Sequence, residues 1–422
     1  MLTLNAIRNN TQETIERLAK RGTDRSEDIA EVISIDENKR AKQTLLEQNL
    51  AKANIISREV GELFKSGNKE EADRKKEESV RLKEESKQLE MEVSELEQQL
   101  LQKLYEIPNT PHEKVRKGTS AEENEVVYEW GEEPKLPAGA KPHWELTSQY
   151  QLVDFELGNK IAGAGFPVYT GKGARLQRAL INFFLDEALR AGYYEVQPPV
   201  LVNEASGFGT GQLPDKEGQM YHIGVDNLYC IPTAEVPITN MYRDVILKEE
   251  DLPIKNVGYT PCFRREAGSY GSHVRGLNRL HQFDKVEIVQ IAHPDKSYEI
   301  LEDMVDHVKG LMKKLGLKFR ILRLCGGDMG FASALTYDFE AWSGAQQKWL
   351  EVSSTSNFET FQANRLKCRF KSKDGKNELV HTLNGSALAL PRIVASLLEN
   401  YQAEDGIHLP ECLHPYLGFS KI

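Results

Sequence analysis

A chain of 422 residues, 40% hydrophobic and 28% charged, is long enough for two domains and apolar enough for a real core. A formal net charge of −10 and a negative mean hydropathy exclude a generic nucleic-acid coat and a membrane-surface protein, so any polyanion must be met by a local patch. The five cysteines lie far apart with no CxxC or HxxxH spacing, which reads as reduced thiols packed as small apolar residues and not as a metal site. The opening "MLTLNAIRNN" has no basic region followed by an apolar stretch, and nowhere do eighteen apolar residues run together. The expectation is a cytoplasmic protein without a membrane span.

Residues 28 to 104 are highly charged, nearly free of proline, and rich in Glu, Lys, Gln and Leu, which is helix composition. Ala72, Ser79, Leu82, Ser86, Leu89, Val93, Leu96 and Leu100 follow the alternating three and four spacing of a heptad seam. Val32, Ile35, Lys39, Lys42, Leu46, Asn49, Ala53, Ile56, Val60 and Leu63 form a matching seam whose polar members weaken it and bear on register. Between the halves, "KSGNK" places Gly67 and Asn68 where a helix stops and the chain turns. Two helices so joined run antiparallel, each of about 35 residues reaching roughly 50 Å. That is longer than a core needs, so the hairpin reads as an arm; a dimerisation coiled coil fits the same pattern.

After Tyr105 the Pro/Gly-rich texture of "IPNTPHEKVRKGTS" and "GEEPKLPAGAKPHWEL" marks a linker into a second domain. There, helical stretches at Ala174 to Ala191, Lys296 to Leu315 and Pro391 to Gln402 alternate with candidate strands "LYCIP", "VGYTPCF", "LHQFDKVEIVQIA", "FRILRL", "KWLEVSSTSNF" and "ELVHTLNGSA". Several strands follow one another without a helix between, and no GxGxxG or GxxxxGK[ST] loop occurs. The fold class is α+β, around a largely antiparallel sheet.

The densest chemistry lies in Phe263 to Glu287, "FRREAGSYGSHVRGLNRLHQFDKVE". It reads as a long hairpin: a strand ending at Phe263, a loop through Gly268, Gly271 and Gly276, and a returning strand. Arg264 and Glu266 would share a face at i, i+2, a clamp for triphosphate or carboxylate. Phe283 and Glu287, four apart, would turn an aromatic plane and an acid toward one cavity. "IPTAEVPI" offers Thr233 and Glu235 for an ammonium group. In "WLEVSST", full extension puts Glu351 and Ser353 on one face and Ser354 on the other, hard oxygens suited to Mg²⁺ on phosphates. "LNGSALALPRIVASLLENYQ" passes from a strand into a helix opened by Pro391, with Arg392 in its first turn, a good place for an anionic phosphate.

On these stretches the chain resembles a bacterial-type seryl-tRNA synthetase, a class II aminoacyl-tRNA synthetase. "GYYEVQPPVLVN" looks like motif 1 (near 192–202), Phe263 to Glu287 like motif 2, and "NGSALALPRIVASLLENYQ" like motif 3 (384–402); "TAE" at 233–235 and "EVSSTSN" at 351–357 resemble the serine and ATP segments. The resemblance implies an N-terminal coiled-coil arm over residues 1–107 that binds tRNA, and a class II antiparallel sheet flanked by helices over 108–422. Arg264, Glu351 and Arg392 would be catalytic. ATP would meet Arg264, Arg265, Glu266, Phe283, Glu351, Val352, Ser353, Ser354 and Arg392, with Phe283 and Arg392 on either face of adenine. Glu351 and Ser354 would hold Mg²⁺. Serine would meet Thr233, Ala234, Glu235, Arg264, Glu287, Asn384 and Ser386. Arg58, Lys65, Lys69, Arg74, Lys75 and Lys76, near the Gly67 turn, would meet the long variable arm of tRNA(Ser).

The implied reaction is ATP-dependent activation of L-serine to seryl-adenylate, then transfer to the tRNA 3′ end, by a homodimer, with tRNA(Sec) left open as a further acceptor. No protein nucleophile is needed, so His273 and His281 read as loop or structural residues. The pattern departs at Ala387 and Pro391, where many members of the family have glycine; the Ala387 methyl is expected close to the serine pocket. A class II ligase loading a carrier protein and a non-catalytic RNA-binding relative are the competing readings. The helical arm argues against the first, and the presence of Arg264, Glu351 and Arg392 against the second.

Overall fold

Two helices dominate the N-terminal quarter of the chain. α1 (Ser26–Lys65) and α2 (Lys69–Glu106) run without a break over 40 and 38 residues, each about 60 Å long at 1.5 Å per residue. The structure, a computed structural model, describes residues 1–266 and 275–422; Gly268, Gly271 and His273 lie outside the described residues. The chain divides into two units, residues 4–16 with 24–107, and residues 1–3 and 17–23 with 108–422. No helix among the described residues is long and apolar enough to cross a membrane.

α1 ends at the predicted turn. Gly67 takes φ +80°, and the Asn68 N–H returns to the Leu63 carbonyl at 3.0 Å, the bond that closes a left-handed helix cap. Val32, Leu46, Asn49 and Ala53 then bury against Ala72, Ser79, Leu82, Ser86, Val93 and Leu100 along the expected seam. Ion pairs beside the seam, two of them made by its members Lys39 and Lys42, set register: Lys39 meets Glu97 at 3.1 Å, Lys42 meets Glu92 at 2.5 Å, Glu31 meets Lys103 at 2.7 Å, and Glu59 meets Lys75. Each pair is centred on residue 67 or 68, so one slip breaks all four, although a single exposed pair contributes little. Seam members Ile56, Val60, Leu63, Leu89 and Leu96 are half-buried, and at one turn a polar residue replaces the expected one. Ile35 is only half-buried, and Asp36 takes the inward place because Arg8 and Arg40 neutralise it there.

The second unit is built on eight strands: β1 (Glu125–Trp130), β2 (Tyr194–Glu195), β3 (Ile254–Phe263), β4 (Gln282–Ala292), β5 (Phe319–Arg323), β6 (Leu335–Ser343), β7 (Lys348–Asn357) and β8 (His381–Ala389). Their order across the sheet is β1-β5-β6-β7-β8-β4-β3-β2, antiparallel throughout except where β2 joins β3. β1 lies between the two stretches read above as linker, and β6 was not foreseen: "LTYDFEAWS" alternates bulky and polar residues that only the neighbouring strands turn into a ladder. Helices α3 (His143–Gln149), α4 (Gly171–Arg190), α5 (Glu235–Asn240), α6 (Ser297–Lys314), α7 (Thr360–Leu366) and α8 (Leu390–Asn400) complete what the site uses.

The apolar stripes of α4 (Leu176, Leu180, Phe183, Phe184), α6 (Leu301, Met304, Val308) and α8 (Ile393, Val394, Leu397) share one core with Val286 and Ile288 of β4 and with Phe319 and Phe339. β4 spends alternate residues on each face. Val286, Ile288 and Ala292 enter that core, whereas Val289 packs beneath Ala234 and Ile238 on the other side. The polar residues that share the Val289 face form the site.

Phe319 is fully buried with Tyr128, Trp130 and Phe339 around its ring at 5.8 to 6.1 Å. Phe319→Ala should cost this unit about 3–5 kcal/mol, read as a lower urea midpoint in tryptophan fluorescence. All four tryptophans lie in this unit, so the signal excludes the hairpin. A loss below about 1 kcal/mol would mean that the core is not closed around this ring.

Candidate active site

Lys285 and Glu287, two apart on β4, point away from the main core and are 6% and 1% exposed. The Lys285 ammonium donates to the Thr233 hydroxyl at 2.9 Å and meets the Glu287 carboxylate at 2.7 Å. Thr233 precedes α5, whose first residue is Glu235. Glu235 Oε1 accepts from Gln362 of α7 at 2.6 Å, and Gln362 in turn accepts from Thr382 of β8. Asn384 also bonds Glu235, and the Ser386 hydroxyl lies 3.4 Å from Glu287. Burial, and then the charge of Glu287, pushes the Glu235 carboxyl up to about 7. Two carboxyls against one lysine leave this buried pocket short of one positive charge once both ionise, the complement of an ammonium group.

Thr233, Glu235, Glu287, Asn384 and Ser386 thus come together, and Ala234 lies behind them in the Val289 cluster. Sequence reasoning missed Lys285 and Gln362. Lys285 was within reach, because it falls on the same period-two face as Phe283 and Glu287; Gln362 was not, because no local pattern brings α7 to α5.

The clamp at the far end of β3 differs from the strand-face expectation. β3 stops at Phe263, so Arg264 and Glu266 do not share a strand face by i, i+2 alternation. The Arg264 N–H still bonds the His281 carbonyl at 2.9 Å, and its guanidinium lies over the Phe283 ring at 5.2 Å. The Arg265 N–H donates to the Gln219 carbonyl at 2.8 Å, turning the chain out of the sheet. Glu266, at φ +50°, pairs with Arg279 on the returning limb. His281 is structural: its ring stacks on Phe166 at 5.4 Å and bonds the Tyr221 hydroxyl at 2.8 Å.

Full extension also fails at β7. The β6–β7 ladder shifts register around Val352, where Phe339 faces Ser353 but Glu340 faces Glu351. Ser353 therefore turns into the sheet and donates to the Ser386 carbonyl at 2.6 Å, while Glu351 and Ser354 both act on Asp338 of β6. Burial and the Glu351 charge push the Asp338 carboxyl well above the usual carboxylate range, Ser354 bonds it, and its Oδ1 is buried without a hydrogen-bond partner. Glu351, Ser354 and that orphaned oxygen are the hard donors Mg²⁺ takes, so the residues present fit the ion. Among the described residues no three His, Cys, Asp or Glu gather as a closed metal site. Asp338 was not foreseen because the strand that carries it was not.

Arg392, in the first turn of α8, donates to the Glu351 carbonyl at 2.7 Å, lies 3.4 Å from its carboxylate, and donates to the Asn278 carbonyl at 3.0 Å. It reaches the same edge as Glu351, whereas the guanidinium on Phe283 is that of Arg264. Ala387 corrects an expectation: it is fully buried in the main core, so its methyl turns away from the pocket that Ser386 faces. In the hairpin unit Arg58, Lys65, Lys69, Arg74 and Lys76 are exposed, and Lys75 is paired with Glu59. They share residues 58–78 with Glu59, Glu62, Glu70, Glu71, Asp73, Glu77 and Glu78, so the turn is mixed in charge and not a basic patch.

Residues 1–111 match the family described as seryl-tRNA synthetase N-terminal domain, and residues 221–401 the tRNA synthetase class II core domain (G, H, P, S and T). The chain is 50% identical to a serine–tRNA ligase of Salinibacter ruber over 100% of this chain and 99% of that one, and 46% identical to one of Pelotomaculum thermopropionicum over 99% of each. Among solved structures it is similar to seryl-tRNA synthetase from Pyrococcus horikoshii complexed with ATP (TM-score 0.95, 33% identity, 100% and 99% of the two chains covered). It is also similar to cytoplasmic serine–tRNA ligase from Naegleria fowleri in complex with AMP (TM-score 0.88, 26% identity, 100% and 98% covered). With the pocket, the clamp and the helical hairpin all in one chain, these matches over its full length mean that the chain belongs to the seryl-tRNA synthetase family.

Proposed function

We propose that this chain is a serine–tRNA ligase, which activates L-serine with ATP and passes it to the 3′ end of tRNA(Ser). The observation that carries this reading is the buried pocket of Thr233, Glu235, Lys285, Glu287 and Ser386 beside Arg264 and Phe283. Glu235 and Glu287 accept from the serine ammonium and hydroxyl, with Lys285 holding Glu287 in place. Arg264 aligns the serine carboxylate with the α-phosphate, and Phe283 stacks on adenine next to Glu266. A carboxylate oxygen attacks the α-phosphorus, the bond to the β-phosphate breaks, and pyrophosphate leaves. A ribose hydroxyl of the tRNA end then attacks the adenylate carbonyl and AMP leaves. Glu351, Ser354 and Asp338 would hold Mg²⁺, which when bound would supply charge neutralisation for the phosphates. Arg392, beside Glu351, would reach the γ-phosphate.

Selectivity follows from burial. Alanine and glycine would leave the hydroxyl's partners unpaired, and a tight wall would reject threonine's extra methyl. On this reading residues 1–107 bind the variable arm of tRNA and residues 108–422 are catalytic. The working form is a cytoplasmic homodimer joined near motif 1, where Tyr194 on the edge strand β2 is 72% exposed and Leu201 is 40% exposed. tRNA(Sec) is a further candidate acceptor.

Serine-dependent ATP–pyrophosphate exchange without tRNA tests the first step. Serine alone among serine, threonine, alanine, glycine and cysteine should support it, and Arg264→Ala should slow it about 10²–10³-fold; exchange with a different amino acid would overturn the assignment. Because the free Glu235 carboxyl titrates near 7 and an ammonium lowers that value, serine binding should tighten as pH rises toward 7 and level off above it. KM for serine should be about tenfold higher at pH 6 than at pH 8, and Glu235→Gln should flatten this dependence while weakening binding throughout; a slope retained in that variant would assign it to another group. Replacing Lys65, Lys69, Arg74 and Lys76 together by Ala should leave exchange intact and reduce kcat/KM for tRNA, with the salt dependence flattened by about 0.7 to 0.9 per lost phosphate contact. Unchanged tRNA kinetics would remove the hairpin turn from the RNA interface.

A further inference from the structure

A buried polar cluster lies outside the substrate pocket, between α3 and α8. Glu399, near the end of α8, and His143, the first residue of α3, are both fully buried. Glu399 Oε1 accepts from the His143 backbone N–H at 2.8 Å, from His143 Nδ1 at 2.7 Å and from Gln346 Nε2 at 2.7 Å, and Oε2 accepts from the Ser343 hydroxyl. Such a carboxylate is fully satisfied, yet it is a costly way to join two helices that apolar packing could join.

What the cluster holds explains its position. His143 Nε2 accepts from the Leu277 N–H at 2.8 Å, so the ring hydrogen sits on Nδ1 and is donated to Glu399. Gln346 Oε1 accepts from Asn278 Nδ2 at 3.1 Å, and the Asn278 carbonyl receives the Arg392 Nε–H at 3.0 Å. Two residues before Leu277, the Arg275 guanidinium lies over the Trp144 ring at 5.0 Å. Gly276 permits this docking: its φ is +67°, and a Cβ there would fall 2.4 Å from His143 Nε2 and 3.2 Å from Trp144 Cβ. The limb that returns from the Arg264–Glu266 clamp, carrying Arg279 to Glu266, is thus pinned to the helix that bears Arg392.

We propose that His143 and Glu399 are positioning residues for the ATP site, acting through Leu277 and Asn278 to hold Arg279 and Arg392 at their places. The pair touches no substrate, and its effect falls on ATP. Serine's partners Thr233, Glu235, Lys285 and Glu287 hang on β4 and α5 and do not depend on it. This inference rests on the proposed activation of serine by ATP.

The test uses full-length protein with substitutions that separate the two ring nitrogens. His143→Asn reaches the Nδ1 position and keeps a donor for Glu399 but loses the acceptor for Leu277. His143→Gln carries an amide oxygen to the Nε2 position. The expected result is a KM for ATP raised about tenfold and a lower kcat in His143→Asn, KM for serine within about twofold of wild type, faster hydrogen exchange at the Leu277 amide, and recovery to within about threefold in His143→Gln. A merely structural role predicts equal losses for ATP and serine that follow the melting temperature, without rescue by His143→Gln, and that result overturns the proposal. So does an unchanged KM for ATP once the Leu277 amide exchanges freely. If His143→Asn does not fold, Gly276→Ala disturbs the same contact from the loop side, and a wild-type KM for ATP there is equally fatal. Wild-type protein that catalyses no exchange with serine refutes the proposed activity, and the kinetic role falls with it, whereas a negative result in the variants alone leaves that activity standing.

Discussion

A lysine and a glutamate two residues apart on a central strand, with almost no water around either, are the constraint on which the rest of this architecture depends. Taking both charges out of solvent is expensive, and their attraction offsets that cost only if neither loses its partner. Lys285 therefore needs Thr233, and Glu287 needs the seryl edge of β8. Each demand fixes another element: the turn into α5, the register of β8 against β4, and the apolar layer of Val289, Ala234 and Ile238 beneath. An antiparallel sheet with one face sealed by α4, α6 and α8 gives that strand a rigid back, so its other face can hold groups that a loop could not keep apart from water.

The polar side chains at the margins of this pocket owe their places to departures from regular structure. β3 ends so that Arg264 lies across Phe283, Glu266 bends through a left-handed conformation to meet Arg279, and the shift at Val352 brings Glu351 and Ser354 to Asp338. An undisturbed pleat would have sent half of these groups into the core. The orphaned oxygen of Asp338 and the raised carboxyl of Glu235 mark two separate points at which the free protein is left short of a positive charge.

Much of this was legible in the chain because it is written with short-range periods. The heptads on either side of Gly67, the alternation through β4 and the passage from strand to helix at Pro391 each state their own geometry. What stayed hidden depends on distance in sequence. Gln362 reaches Glu235 from a helix 127 residues away, Asp338 sits on a strand that declares itself only beside β5 and β7, and His143 meets Glu399 across 256 residues of chain. The strand-face argument for Arg264 and Glu266 failed for a local reason: it assumed that the strand continued past Phe263, and three residues of irregular backbone are enough to void a period of two.

The ion pairs along the hairpin carry one more implication. Because Glu31–Lys103, Lys42–Glu92 and Glu59–Lys75 are all centred on the same turn, the two helices are mirror-indexed rulers, and matched heptads could be taken from both without changing which residues face inward. The span from the turn to the base of the hairpin is therefore quantised in steps of about 10 Å, a dimension that evolution or design can adjust by whole heptads while the chemistry on the sheet stays as it is.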